Sequence, residues 1–460
     1  MTARAPRDRQ LLGMLAAIVL LAAIVYGASA ALVGRPPVIR DAFQYNASAQ
    51  RLLNTGVYEY NPDLTAGIEA TNGPSAFTMP GYTVFLAGIY LFFPHSGDVV
   101  ANILTAQNAI IIIQLLLAVG IATVIAYAGH QLGGPALGWT AGALAIAYVP
   151  FGMNATVTLT ETLALALMSV VVLATVGLLR RGAASDPARS VRWALLLGIA
   201  GGTSILVRPT IALWLAAPLL AWLWTHRRSP SSRWRVPMIV AACVVVLMTP
   251  WVVRNAVSLG RFVPFTDSVS TPLLDSVGGA NFTAAEEDLI ARAEAEGRDP
   301  YQAVALQRLK TKWLVSPSGF LRWKAESAWI GVGNFTNLPL DILADLQMSG
   351  TPAPRTYADA GAFLPVRSDA VYTRLFEGVT WYHRILLILA GIGVVLGHRR
   401  AAVWLLASIP VYYAIVHTVI LFMIRYFYPA MPALILLAAF GVAGTARLVT
   451  ARTTHETSAG

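Results

Sequence analysis

The stretch LLGMLAAIVLLAAIVYGASAALVGRPPVIRDAFQY, residues 11–45, sets the interpretation of the whole chain. Its first part, 11–33, is apolar over a length that crosses a bilayer as a helix. The apolar run ends in GRPP, and an acid, Asp41, follows shortly afterwards. A membrane span does not by itself require a carboxylate at its exit, and ionisable residues at such positions indicate functional sites by default. The sequence therefore indicates a candidate catalytic loop at 34–98.

The composition is that of a helical integral membrane protein. Of the 460 residues, 56% are hydrophobic and only 12% are charged, with a mean hydropathy of +0.62. Soluble domains carry about 25% charged residues, and long apolar runs are typical of membrane helices. The basic residues lie in short loops between apolar runs, which indicates membrane topology and not nucleic-acid binding. A single cysteine, Cys243, excludes an intrachain disulfide.

Apolar runs of spanning length predict about ten transmembrane helices. The stretch 193–225 is broken by Gly201-Gly202 and by Arg208-Pro209, which predicts a tight hairpin of two short spans. Residues 80–93 are too short to cross and are predicted to form a helix at the membrane surface. The remaining predicted spans are 11–33, 99–128, 131–150, 157–179, 236–255, 380–397, 401–421 and 425–447.

The distribution of charge predicts the orientation of these spans. The N-terminus, the short loops after the fourth, sixth and eighth spans, and the tail are rich in arginine, whereas 257–379 carries more acids than bases. The positive-inside rule then places both termini in the cytoplasm and 34–98 outside the inner (plasma) membrane.

The same distribution divides the chain into three parts. They are an N-terminal transmembrane module, 1–256, an extracytoplasmic loop or lid, 257–379, and C-terminal transmembrane helices with a cytoplasmic tail, 380–460. Within the lid, 289–313 is predicted to form one helix, and the proline-rich stretch 337–366 is predicted to form an ordered loop.

Ionisable residues at the ends of distant spans are predicted to meet on the outer face. They are Asp41, Glu161, Arg208, Arg254 and Arg425. An arginine within an apolar helix costs about 2.5–3.5 kcal/mol on insertion scales, but at a helix end it can snorkel to the interface at little cost. Snorkelling is thus one interpretation of each arginine, although arginine is not the expected anchor on the outer side. Their convergence favours a buried phosphate or pyrophosphate group, which suits the planar guanidinium fork.

The acids and aromatic residues also have structural interpretations. Asp41 precedes an amphipathic helix and has Gln44 three residues on, a pattern typical of a helix N-cap. Glu161 would favourably charge a helix start. Aromatic residues near these acids are candidate substrate contacts, with an interfacial aromatic belt as the alternative; they are Tyr45, Tyr82 and Tyr426.

Six short motifs follow one another along the chain. They are Asp41 with Tyr45 and Gly56, Pro80-Gly81-Tyr82, Thr160-Glu161-Thr162, Arg208-Pro209-Thr210, Pro250-Trp251 with Arg254-Asn255, and Arg425-Tyr426 with Pro429. In this order they resemble the GT-C fold glycosyltransferases that use lipid-phosphate sugars. The nearest resemblance is to bacterial relatives of the protein O-mannosyltransferases and of the transferase that adds aminoarabinose to lipid A. It covers the chain from residue 41 to about residue 440.

The resemblance implies an all-α polytopic membrane enzyme with an extracytoplasmic active site. It implies transfer, with inversion, of a sugar from a polyprenyl-phosphate donor to an acceptor hydroxyl, with Asp41 as general base and the arginines at the donor phosphate. The acceptor would be a lipid, a polysaccharide or a protein. Three roles stay open for Glu161: orienting the acceptor, assisting Asp41, or sharing a divalent cation. The sequence names no required cofactor.

Two departures from the family pattern narrow these expectations. Many relatives carry Asp-Glu in the first loop, but here Ala42 follows Asp41, so the role of the second carboxylate is lost or moves to a residue such as Glu161. The Trp-Trp-Asp motif of oligosaccharyltransferases is missing, so transfer of a whole glycan to asparagine is not expected.

Three other functions remain open at this point. A transporter or flippase of lipid-linked sugars would use the same arginines without a base. A polymerase would act on a sugar chain linked to a lipid diphosphate. A non-catalytic assembly partner would use Asp41 only as a helix cap.

Overall fold

The structure is a computed structural model that describes residues 5–36, 38, 40–60, 73–180, 186–227, 233–268, 270–279, 281–335, 370–419 and 424–458. Over those ranges the regular secondary structure is entirely helical, which confirms the predicted all-α class. The proline-rich stretch 337–366 lies outside the described residues.

The helices of the N-terminal half include two shorter ones between the first two long spans. They are α1 (Ala5–Val33), α2 (Arg40–Thr55), α3 (Gly81–Tyr90), α4 (Val99–Gly133), α5 (Pro135–Ala147), α6 (Pro150–Asn154), α7 (Thr160–Leu179), α8 (Pro187–Val207), α9 (Ala216–Thr225) and α10 (Arg235–Leu259). A 3-10 turn, Pro209–Ile211, lies between α8 and α9. The short helix α3 packs against α2, α4 and α8.

The C-terminal part begins with shorter helices and ends with the last long spans. They are α11 (Ser270–Asp275), α12 (Ala284–Ala295), α13 (Pro300–Val315), α14 (Pro317–Gly333), α15 (Ala370–Gly397), α16 (Ala401–Val419), α17 (Ile424–Phe427) and α18 (Met431–Ser458). A 3-10 turn, Tyr428–Ala430, joins α17 to α18.

Within the described ranges, eight helices are long and apolar enough to cross a membrane. Three shorter apolar stretches accompany them: Gly81–Tyr90, Pro135–Ala147 and Pro209–Thr225. The total reaches ten only if the last two also cross, so the count of about ten spans stays a prediction. The multi-pass helical architecture itself is confirmed.

A glycine and a proline set the junction between α4 and α5. Gly134 has φ +85°, a conformation that a side chain rarely adopts, and it ends α4. Pro135 then opens α5 at a position where its missing N–H costs nothing. The chain therefore reverses within one residue, and α4 and α5 pack side by side.

The predicted break at Arg208-Pro209 is correct, but the one at Gly201-Gly202 is wrong. Helix α8 runs unbroken through both glycines. A Cβ on Gly202 would come within 2.7 Å of Leu247, so this glycine serves close packing of α8 against α10. Glycine in an apolar helix often marks a close helix contact of this kind.

The single helix predicted over 289–313 is also wrong. Two helices, α12 and α13, are separated by Gly297 at φ +66°, and Pro300 starts the second one. A left-handed glycine followed by a proline ends one helix and begins another. Arg308 of α13 bonds Glu286 of α12 at 2.7 Å and lowers the pKa of that carboxyl to about 2, which ties the two helices together.

Helices α15 and α18 make a close glycine-mediated contact. A Cβ on Gly393 would overlap the Leu437 carbonyl of α18, and a Cβ on Gly441 would overlap the Leu389 carbonyl of α15. Small residues let backbones approach in this way and drive helix association within membranes. The last span is thereby fixed against α15.

We expect Gly393→Ala to destabilise the protein, because the added methyl group has no room against the α18 backbone. Overpacking of this kind costs about 1–3 kcal/mol. Thermal unfolding in detergent measures the effect. Gly391→Ala is the matched control on the same helix, since a Cβ there meets nothing within 4 Å. Equal melting temperatures for the two variants would contradict the packing explanation.

Candidate active site

Asp41 is the accessible acid of the site. Helix α2 begins at Arg40, so Asp41 lies in its first turn and is not the preceding N-cap residue. Its carboxylate accepts a hydrogen bond from the Tyr60 hydroxyl at 3.3 Å and one from Arg425 Nη2 at 3.2 Å. The side chain is nevertheless 49% exposed. Asp41 is therefore held in place by two partners and still open to a substrate.

Glu161 is the buried acid of the site. It lies in the first turn of α7, where the helix dipole favours a negative charge, and its side chain is only 1% exposed. Arg208 Nη2 donates to its Oε1 at 2.5 Å, and the Thr160 hydroxyl donates to its Oε2 at 3.3 Å. Arg425 Nε lies 3.9 Å from the same Oε1. A buried carboxylate needs such paired charge to be tolerated.

The two arginines come from helix ends that are far apart in sequence. Arg208 follows α8 directly before the proline-containing turn, and its Nε donates to the Thr160 hydroxyl at 2.8 Å. Arg425 lies in the short helix α17 before the last span. Their side chains are 17% and 21% exposed, so neither guanidinium is sealed from a ligand. The buried Arg425 Nε has no hydrogen-bond partner among the described residues.

These contacts join the four groups in one alternating chain of charges. Asp41 contacts Arg425, Arg425 approaches Glu161, and Glu161 binds Arg208. We call these four residues the charge network. Among the described residues, no group of three His, Cys, Asp or Glu side chains could hold a metal ion. In the charge network, the Arg425 guanidinium lies between the two carboxylates.

Three aromatic residues surround the charge network. The Tyr45 ring packs edge-on against Tyr60 and Tyr82, with centroids 5.3 and 5.2 Å away. Burial raises the pKa of both Tyr45 and Tyr60, so their hydroxyls stay protonated and can donate. The Tyr82 hydroxyl is buried and donates to Gln114. Tyr82 therefore supports Tyr45 from behind.

Tyr426 is placed beside both arginines. The Arg208 guanidinium lies 5.6 Å from its ring centroid, within cation–π range. On its other side, the ring of His417 lies 4.9 Å away. Tyr426 therefore orients the arginine, and its predicted contact with substrate remains a prediction.

Arg254 is not brought against the two acids. It donates to the backbone carbonyl of Tyr58 at 2.6 Å and to that of Ser75 at 2.7 Å, and it lies over the rings of Tyr58 and Trp251. In this position it ties the segment between α2 and α3 to the end of α10. Its binding of donor phosphate remains a prediction.

A buried ion pair between α2 and the segment after it was not predicted from the sequence. Arg51 and Glu59 form an ion pair at 3.1 Å in which both side chains are 3% exposed. The pair joins α2 to the segment that carries Tyr60. Nothing in the local sequence distinguishes it from a solvated pair of charges, because its burial depends on packing by residues far along the chain.

Comparison with known proteins gives no match by sequence, since neither a family model nor a curated protein matches. Solved structures do match. The oligosaccharyltransferase of Archaeoglobus fulgidus in its apo form aligns with a TM-score of 0.54 and 11% identity, over 97% of this chain and 52% of that chain. Archaeal AglB from the same organism, in complex with an inhibitory peptide and a dolichol-phosphate, aligns at 0.53 and 13%, over 96% and 52%. ArnT from Cupriavidus metallidurans, bound to undecaprenyl phosphate, aligns at 0.41 and 15%, over 95% and 78%.

The chain therefore has the GT-C fold, as the sequence motifs predicted. The assignment of the fold rests on the archaeal structures, whose TM-scores exceed 0.5. This chain spans about half the length of those proteins. At such low identity the likeness shows the fold alone, so the activity has to be argued from the charge network.

We expect Glu161→Gln to lower stability by about 3 kcal/mol, because removing one partner of a buried pair leaves an uncompensated charge. Thermal unfolding in detergent reports the loss. Glu287→Gln, at an exposed acid of α12, is the control and is expected to change stability by less than about 0.5 kcal/mol. If both variants melted together, Glu161 would not hold the arginines as described.

Proposed function

We propose that the protein is an inverting membrane glycosyltransferase that moves a sugar from a polyprenyl-phosphate donor to an acceptor hydroxyl. One observation carries the proposal. A half-exposed carboxylate, Asp41, lies within hydrogen-bond distance of Arg425, and Arg425 belongs to a network with Glu161 and Arg208. A base beside phosphate-binding groups is what a displacement at a sugar phosphate requires.

Asp41 would act as the general base. Its exposed face can accept the proton of an acceptor hydroxyl, while Tyr60 and Arg425 fix the direction of its oxygens. The acceptor oxygen then bonds to the anomeric carbon as the bond from that carbon to the phosphate oxygen breaks, and the configuration inverts. A positioned base typically contributes about 10²–10⁴-fold to the rate.

Arg208 and Arg425 would bind the departing phosphate. Negative charge grows on polyprenyl phosphate as it leaves, and positioned guanidiniums stabilise that charge in the transition state. Glu161 keeps Arg208 in place until the donor arrives, which favours a positioning role for this acid.

The lipid nature of the donor is supported by the surroundings of the site. The charge network lies at the ends of apolar helices, where a lipid-linked phosphate can enter from the bilayer. A protein with the same fold, archaeal AglB, has been solved in complex with a dolichol-phosphate. The acceptor is a lipid, a polysaccharide or a protein, and the outer segment contributes to its side of the site, because α14 packs against α17 beside Arg425.

The sidedness of the site follows from charge. Asp41 and Glu161 lie at the helix ends opposite Arg180, Arg399 and Arg400, which are exposed basic residues in short connections. Positive-inside bias assigns the basic end to the cytoplasm. We therefore place the active site on the extracytoplasmic side of the plasma membrane, with both termini inside.

We expect Asp41→Asn to lower sugar transfer by about 10²–10⁴-fold, because the amide cannot accept the acceptor proton. The assay uses the full chain in lipid nanodiscs, labelled polyprenyl-phosphate sugars, and membrane extract as acceptor. Asp98→Asn is the matched control: Asp98 is an exposed acid that caps α4, and asparagine caps equally well.

Three outcomes separate the proposal from its rivals. Loss of transfer in a folded Asp41→Asn variant, with normal transfer in Asp98→Asn, supports the base and names the donor sugar. Equal transfer by wild type and Asp41→Asn would remove Asp41 as base. Movement of labelled lipid between leaflets without any transfer would instead favour a flippase.

A further inference from the structure

The end of the helical bundle opposite the charge network contains a cavity that none of the four network residues lines. Its volume is about 1520 Å³, larger than most small-molecule pockets. It is formed where α1 begins, α4 turns into α5, α7 and α9 end, and α15 connects to α16. Helix α7 carries Glu161 in its first turn and ends beside this cavity, so the two sites are separated by one membrane-spanning length.

The rim of this cavity is basic. Three arginines contribute to it, Arg180, Arg399 and Arg400, against a single carboxylate, Asp8. All four residues are exposed, so the charges face an aqueous or headgroup region. Arg180 bonds Gln131, and Arg400 lies 5.0 Å from the Phe440 ring centroid, which holds these two side chains at the rim. The excess of positive charge fits an anionic ligand.

Two histidines add further polar atoms to the wall. His226 stacks on Trp222 with ring centroids 3.7 Å apart, and it approaches the Trp222 carbonyl through Nδ1. The Nδ1 atom of His130 is buried and has no hydrogen-bond partner among the described residues.

Below the basic rim the wall is apolar. The lining there includes Met14, Leu132, Trp139, Val176, Leu178 and Leu179. A free inorganic anion gains nothing from this surface, whereas an acyl chain does, at about 25 cal/mol per Å² of apolar area buried. A basic rim above an apolar wall between membrane helices is the arrangement that binds the headgroup and upper chain of an anionic lipid.

We propose that this cavity, with Arg180, Arg399 and Arg400 at its rim, binds an anionic phospholipid from the leaflet opposite the active site. The lipid phosphate would contact the guanidiniums, and the acyl chain would lie along the apolar wall. Because the cavity is bordered by α1, α4, α5, α7, α9 and the α15–α16 connection, a lipid there would fix these six regions to one another. The ligand class is a phospholipid with net negative charge.

Native mass spectrometry of the full chain in detergent tests the site directly. Phosphatidylglycerol, cardiolipin and phosphatidylcholine are titrated separately, and inorganic phosphate is added as a competitor. We expect one anionic lipid to be retained by the wild-type protein. The variant Arg399→Gln with Arg400→Gln should bind it about 30-fold more weakly, since each arginine near a lipid surface contributes about 1 kcal/mol.

The matched control also removes two positive charges from the basic end of the helical bundle, but outside the cavity. Arg192 and Arg235 are exposed at the starts of α8 and α10 and do not line the cavity, so the double variant Arg192→Gln with Arg235→Gln should retain the lipid. Arg180→Gln alone provides a second rim variant if the first pair fails to fold.

Each contrary outcome overturns the proposal in a different way. If the control variant lost lipid binding to the same extent, the lipid would be attracted by overall positive charge and not by a specific site. Equal retention of phosphatidylcholine would show that only the apolar wall matters. Displacement of the lipid by inorganic phosphate at equal concentration would identify a small-anion site. All three measurements are independent of sugar transfer, so failure of the proposed enzymatic function would leave the result intact.

Discussion

The burial of Glu161 is the constraint on which the rest of the site depends. A carboxylate that is 1% exposed at the start of a long apolar helix is tolerated only when paired, and two arginines from other helices meet that requirement. Since Arg425 also reaches Asp41, across 384 residues of sequence, one buried acid indirectly positions the exposed one. The charge network therefore links α2, α7, α8 and α17 at one place.

Polar contacts on the buried face of α2 hold Asp41 at that place. Asn46 is fully buried; it donates to Thr158 just before α7 and accepts from the Tyr90 hydroxyl of α3. One turn further, Gln50 accepts from Asn102 of α4 at 2.9 Å. Buried polar groups of this kind are costly unless every partner is in position, so they specify one orientation of α2. Asp41 is thus carried on a rigid helix rather than on a free loop.

Hydropathy was sufficient for the class of fold and for most spans, because apolar length alone decides whether a helix crosses a membrane. Predictions of helix breaks failed at glycines, because glycine can either allow close helix packing or end a helix. Gly202 allows close packing, whereas Gly297 ends a helix. The residues of the charge network were selected from the sequence by the side of the membrane that they share. The ion pairs that these residues form could not be predicted from the sequence, and neither could the buried pair of Arg51 and Glu59. Both depend on contacts between distant parts of the chain.

We propose that Arg208 and Arg425 receive the phosphate that leaves while Asp41 faces the acceptor. A cryo-electron microscopy structure of the full chain in nanodiscs with polyprenyl phosphate tests it most directly. The phosphate is expected within hydrogen-bond distance of both guanidiniums, about 2.7–3.2 Å, and on the open side of Asp41. Phosphate bound at Arg254 instead would contradict this proposal. So would phosphate bound far from an intact Glu161–Arg208 pair.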